Sequence, residues 1–240
     1  MVFDNYEFTN RGGRSYNEDS AGSRIHEGEG LFVVADGLGG HSYGELASAC
    51  VRDTLLDAFP CRDGDISRWF EEQIAGANRR VLALQEEKDA VLKSTVAALY
   101  ILGDRAVWAH AGDSRVYYIH DGRLQAVTED HSVAYKKYKA GEISKRDIAF
   151  DEDQPRLLRS VGGPDHNEPT IRSYEEYLTP GDAFLLCSDG VWEYLDDEEI
   201  VIDLLKSENA RQWAEYLLLR MMERLNEGND NLTLLAVMLK

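Results

Sequence analysis

Residues 31–41 read LFVVADGLGGH: five apolar positions, Leu31 through Ala35, run directly into Asp36-Gly37 and a glycine-rich loop. A short apolar run rich in β-branched and aromatic side chains, closed by a turn signal, predicts a buried strand. Its carboxylate sits where the strand ends. The same arrangement returns in VWAHAGDSR at 107–115, which ends its apolar run at Asp113, and in FLLCSDG at 184–190, which ends at Asp189-Gly190. A fourth carboxylate, Asp230, stands just ahead of the strand-like run LTLLAVML at 232–239. One Asp-Gly is an ordinary turn dipeptide, but four carboxylates in phase with strand ends form a pattern. A buried carboxylate costs several kcal/mol unless it is paired. If these strand ends converge they call for cations, and oxygen-only donors favour Mg²⁺ or Mn²⁺ over zinc.

Working outward, further strands are predicted over 95–102, 106–111 and 116–120. Gly103-Asp104 and Asp121-Gly122 punctuate them as hairpin turns, which makes the neighbours antiparallel. Helices are predicted over 43–58, 66–87, 197–207 and 210–227, the second carrying Trp69, Phe70, Ile74, Val81 and Leu82 at helical spacing. Asp196 with Glu199 forms a capping-box start, and Gly228 marks a stop. Because the helices come in two pairs and do not alternate with the strands, the expected class is α+β, with helices over antiparallel sheets.

The chain has 240 residues, 43% hydrophobic and 10% aromatic, enough to build a substantial core and to exclude whole-chain disorder. No repeat, low-complexity tract or proline cluster marks a linker, so a single domain over 1–240 is expected. With 26 basic and 44 acidic residues the net charge is -18, which argues against nucleic acid or an anionic membrane as partner. No Walker-type loop and no basic, aromatic-interleaved stripe is present. Cys50, Cys61 and Cys187 show no Cys-x-x-Cys spacing, and neither a leader nor a long apolar span is legible, so the expected setting is the cytoplasm. Segment 131–160 departs from the acidic background, with seven basic residues against five acidic. It reads as a surface flap, either a solvated helical hairpin or a substrate-facing lid, and its charge leads to the expectation that acidic phosphopeptides are favoured.

Taken in chain order, Arg14-Ser15-Tyr16-Asn17-Glu18-Asp19, Asp36-Gly37-Leu38-Gly39-Gly40-His41, Ser94-Thr95, Gly112-Asp113-Ser114-Arg115, Asp130-His131-Ser132, Leu158-Arg159-Ser160-Val161-Gly162, Ser188-Asp189-Gly190 and Asp230-Asn231-Leu232-Thr233 resemble the motifs of a known family. It is the metal-dependent Ser/Thr protein phosphatases of the PP2C (PPM) type, in their bacterial branch. The resemblance covers residues 14–233. It implies a two-sheet antiparallel β-sandwich flanked by pairs of α-helices, a four-layer αββα arrangement with metals in a cleft at one end.

Carried over residue by residue, the resemblance implies that Asp36 bridges two Mn²⁺ or Mg²⁺ ions, that the Gly37 carbonyl binds one of them, and that Asp189 and Asp230 complete the pair. Asp19 and Glu18 would hold metal-bound waters. Asp113 would share with Asp189 a third, weaker site, and Arg14 would bind the substrate phosphate with its planar fork of donors. The implied reaction is hydrolysis of phosphoserine and phosphothreonine on bacterial phosphoproteins by direct attack of a metal-bridging hydroxide, with Asp36, Asp189 and Arg14 catalytic. The implied partners are a phosphorylated protein substrate and a cognate Ser/Thr kinase whose action is reversed, with the enzyme a monomer. Where animal and plant members carry a general-acid His, this chain has Leu38, as bacterial members have an apolar residue, so the leaving-group acid is unassigned. His41 is assigned to the loop, and Asn231 is read as orienting Asp230. Two rivals are a non-catalytic phosphoprotein-binding relative, whose ligand set would have degenerated, and a phosphatase of a sigma-factor switch, which would lack the flap.

Overall fold

The computed structural model describes residues 1–39, 43–62, 64–163, 168–174 and 177–240. Its strands fall into two antiparallel sheets. The first has the order β1 (Phe3–Asn10), β11 (Leu232–Leu239), β10 (Ala183–Cys187), β7 (Arg115–His120) and β8 (Arg123–Val127). The second runs β2 (Asp19–His26), β3 (Glu29–Gly39), β5 (Val96–Leu102), β6 (Arg105–Ala111) and β9 (Thr170–Ser173), with the short β4 (Leu92–Ser94) on the end of β3.

The central strands read as unbroken apolar runs because both of their faces are buried. Successive side chains point to opposite faces. Phe32, Val34, Leu99, Trp108, Tyr118, Phe184 and Leu235 therefore meet between the sheets. Leu31, Val33 and Tyr100 turn the other way, onto Val51, Leu55, Phe70 and Ile74 of α1 (Gly44–Ala58) and α2 (Ile66–Lys88). On the opposite side Tyr117, Leu185 and Leu234 pack against helices α5 (Asp197–Leu205) and α6 (Ala210–Met222), through Ile200, Trp213 and Leu217. The result is the four-layer order helix, sheet, sheet, helix, as the resemblance implied.

Local chemistry sets the helix ends. Asp65 accepts from the Arg68 N–H at 3.1 Å, Asn209 accepts from the Gln212 N–H at 2.9 Å, and Asp196 with Glu199 forms the anticipated capping box. The predicted stop of the last helix at Gly228 is wrong: α6 ends at Met222. Asn226 accepts the Gly228 N–H at 2.9 Å through its side chain, and this local turn competes with continued helix.

The segment 131–160 holds α3 (Val133–Lys139) and a 3-10 helix, Lys145–Phe150. It closes on itself where Val133 N–H meets the Arg156 carbonyl at 3.0 Å and Leu158 N–H meets that of His131 at 2.7 Å. A short helix α4 (Asp189–Trp192) follows β10 directly. β1 pairs β11 along its whole length, from Phe3 opposite Leu239 to Asn10 opposite Leu232. Among the described residues no helix is long and apolar enough to cross a membrane.

Candidate metal centre

Strand register gathers the carboxylates. The antiparallel β2–β3 pairing sets Asp19 opposite Asp36. Asp189 is the first residue of α4, after β10, Asp113 lies in the tight turn between β6 and β7, and Asp230 directly precedes the start of β11. Thus residues 170 or more positions apart in sequence reach one end of the sandwich.

Their charges oppose one another. Burial, followed by the fields of Asp19, Asp189, Asp113 and Asp230, holds the Asp36 carboxyl well above the usual carboxylate range, although part of its surface stays open to solvent at the floor of the cleft. Burial pushes Asp19 up to about 7, against the bonds it receives from Thr233 and Ser188, the latter at 2.8 Å. Asp189 rises to about 6, through burial and then Asp230. Asp113 is also raised, first by burial and then by Asp189. A set of hard oxygen donors that repel one another in a polar cleft is a site built for cations.

Among the described residues no three acidic, His or Cys side chains close on a single point. Asp230 is turned onto Arg14, 2.6 Å from its guanidinium, and Asp189 takes the Gly190 N–H at 2.7 Å. The donors gathered here are carboxylate oxygens with no Cys or His among them, a chemistry that suits hard divalent ions better than a structural zinc cage.

The supporting contacts explain the other motifs. Thr95 Oγ1 accepts the Asp36 N–H at 2.9 Å and shares a hydrogen with Ser114 Oγ at 2.6 Å, so the back of β3 is held from two neighbouring segments. Glu18 accepts the Gly44 N–H at 3.0 Å, and its own carbonyl takes the Gly37 N–H at 3.1 Å. A Cβ at Gly37 would lie 2.1 Å from the Gly44 carbonyl oxygen, so only glycine lets β3 and the start of α1 approach this closely. Asn231 orients Asp230, whose Oδ1 takes its backbone N–H at 2.8 Å, and does more besides. Its side chain accepts from Glu18 N–H at 2.8 Å and donates to the carbonyls of Arg11 and Tyr16 at 2.8 and 2.9 Å, pinning the loop that carries Arg14 and leaving Asp230 to a backbone contact.

Leu38 pairs with Lys93 across β3 and β4, with no acid at that place. Gly40 and His41 lie outside the described residues.

Three participants escaped the sequence reading. Gln154, buried in the flap, points its amide nitrogen at Asp113 Oδ2 (3.4 Å) and Asp189 Oδ2 (3.3 Å), joining the flap to the carboxylates. Trp192 donates its indole N–H to the Asp113 carbonyl at 2.9 Å. Glu193, one helical turn beyond Asp189, is pushed up to about 8 by burial and then by Asp189 and Asp230. The i, i+4 spacing on a helix could have revealed Glu193; nothing in the local sequence marks Gln154.

Comparison with known proteins agrees with this geometry. The protein phosphatase 2C family model matches residues 10–228. The serine/threonine phosphatase stp of Listeria welshimeri is 29% identical over 232 residues, covering 93% of this chain and 90% of the relative. The crystal structure of the Mycobacterium tuberculosis serine/threonine phosphatase PstP/Ppp superposes with a TM-score of 0.88 at 28% identity over 100% of both chains. The catalytic domain of PstP in complex with two manganese ions gives 0.85 at 29% identity, over 99% of this chain and 98% of that one. The chain belongs to the protein phosphatase 2C family and is a protein-serine/threonine phosphatase of the bacterial type.

Proposed function

We propose that this phosphatase acts on phosphoserine and phosphothreonine of bacterial phosphoproteins in the cytoplasm, opposing a Ser/Thr kinase, with two Mn²⁺ or Mg²⁺ ions held at the carboxylate cluster. The observation that carries this reading is the convergence of Asp19, Asp36, Asp113 and Asp189 with raised affinities for protons. The relative with two manganese ions supports it. A bound pair of such ions supplies an activated water for direct in-line attack and offsets charge on the phosphoryl oxygens.

The protein's own groups do the rest. Asp36, at the centre of the field, would hold the ions together with the Gly37 carbonyl, Asp189 and Asp230. Asp19 and Glu18 would orient waters there, and Asp113 with Asp189 would offer a third, weaker position. Arg14 stands half-exposed at the mouth, already tied to Asp230, and presents its remaining donors to the substrate phosphate. Cys187 lies buried in β10 with its thiol pushed far up by burial, so no cysteine nucleophile serves the site and no phosphoenzyme is required.

The test is turnover of p-nitrophenyl phosphate and a phosphothreonine peptide with Mn²⁺, with Mg²⁺ and with EDTA, for wild type, Asp36→Asn and Asp189→Asn. Turnover should require metal and fall about 100-fold or more in both variants. EDTA-resistant hydrolysis, or near-normal rates in the variants, would remove the metal mechanism. A folded wild type that binds Mn²⁺ without turnover would favour a phosphoprotein-binding role.

A further inference from the structure

A groove of about 860 Å³ lies between the flap's 3-10 helix and the segment from α4 into α5. Its inner end is formed by Trp192 and Glu193, on and just after the helix that Asp189 begins, so it adjoins the carboxylate cluster. Phe150, 83% exposed on the flap side, faces Tyr194 and Leu195 across it and supplies apolar walls.

The groove's lining holds four basic and four acidic side chains, and pairing with each other and with Asp130 and Glu199 behind the lining decides which remain free. Each of its four cations is already engaged: Arg115 with Asp130, Lys145 with Asp197, Arg146 with Asp196 and Arg224 with Glu199. Two lining carboxylates, Glu193 and the exposed Glu198, have no side-chain hydrogen-bond or ion-pair partner among the described residues. Elsewhere in the flap Lys137 is tied to Asp151 and Asp153, and Lys139 to Glu129. Arg156 is tied to Asp153 as well, so five of the flap's seven basic residues are engaged with carboxylates. The expectation of acidic phosphopeptides then rests on Lys136 and Arg159, for which no carboxylate partner occurs among the described residues.

We infer that this groove receives the polypeptide on one side of the phosphoresidue and selects substrates carrying Lys or Arg there, with Glu198 as the recognising carboxylate and Phe150 with Tyr194 flanking the side-chain stems. The inference rests on the carboxylate cluster being the place of phosphate hydrolysis, and it adds a substrate class to that reading. The long apolar stems of Lys and Arg suit a groove with aromatic walls and a charged rim. An ion pair at a partly exposed site changes affinity by about 1.4- to 5-fold.

The experiment measures kcat/KM of the Mn²⁺-loaded protein for phosphothreonine peptides of equal length flanked by Lys and Arg, by Ala, or by Glu on either side, with p-nitrophenyl phosphate as a substrate that cannot reach the groove. Basic peptides should exceed acidic ones by about three- to tenfold, mainly through KM, and the margin should shrink in high salt. Glu198→Lys should reduce it about threefold or more without changing turnover of the small substrate. Equal rates for basic and acidic peptides with p-nitrophenyl phosphate still hydrolysed, or a basic preference undiminished in Glu198→Lys, would overturn the groove assignment alone. Loss of hydrolysis of every substrate would instead overturn the reading of the cluster, and the groove assignment with it.

Discussion

Asp36 is stable in this fold only when something relieves its charge. It lies where burial and four neighbouring carboxylates all disfavour ionisation. A neutral amide of the same shape removes that repulsion. Asp36→Asn is therefore expected to raise the melting temperature of the metal-free protein near pH 8, by about 2–4 °C for each kcal/mol relieved, while losing most of the stabilisation that Mn²⁺ gives the wild type. Thermal unfolding in EDTA and in Mn²⁺ measures both; a lower metal-free melting temperature in the variant would count against the repulsion account. At this scale Asp36, Asp113, Asp189 and Asp230 were legible because each closes or opens an apolar run. Gln154 was not, since its two carboxylate contacts span 41 and 35 residues and depend on how the flap folds back. Asn231 was read as orienting Asp230, but its hold on the Arg14 loop was not legible, because that loop lies more than 200 positions away.

Elements meet at Arg115, the first residue of β7. Its guanidinium makes two bonds to Asp130, at 2.8 and 2.7 Å, and its central carbon lies 3.5 Å from the centre of the Trp192 ring. Both partners are almost fully buried, with side-chain exposures of 7% and 1%. The pair thus locks β7, α4 and the entrance of the flap together. Removing one member leaves the other charge buried alone, so Arg115→Ala should cost about 3–5 kcal/mol, read as a lower midpoint in urea unfolding. A loss below about 1 kcal/mol would show that water reaches Asp130 and that the lock is weak. The strands predicted from sequence are those buried on both faces. Of the missed strands, β4 is only three residues long, while β1, β2, β8 and β9 are polar edge strands of their sheets, largely half-buried or exposed beyond the buried start of β2. Polar edge strands carry a weaker periodic signal because their pairing is decided by the neighbouring strand.

For the whole molecule, proton binding and metal binding oppose each other. Asp189 and Asp19 have values of about 6 and 7 in the fold, against 3.8 for an ordinary Asp. Between those limits the folded chain holds protons that the unfolded chain has released, so stability of the metal-free protein falls as pH rises from about 4 through 7. Cations displace the same protons, and their stabilising effect should therefore grow over this range. Melting temperatures at about pH 5.5 and about pH 8, in EDTA and in Mn²⁺, should show a metal increment that is larger at the higher pH. A constant or shrinking increment would argue that the carboxylates are ionised before metal arrives. Layer order was legible at this scale from the motifs and the paired helices, while the groove beside the flap was not, because it depends on which cations are already paired.

The pairing of β1 with β11 has a consequence for how the protein is made. A nascent chain still on the ribosome, grown only to residue 229, has no Asp230; β1 lacks its neighbour in the first sheet, and β10 is paired on the β7 side only. Translation must deliver β11 before the site can hold its full set of carboxylates, so a chain cut short before Asp230 should carry no phosphatase activity.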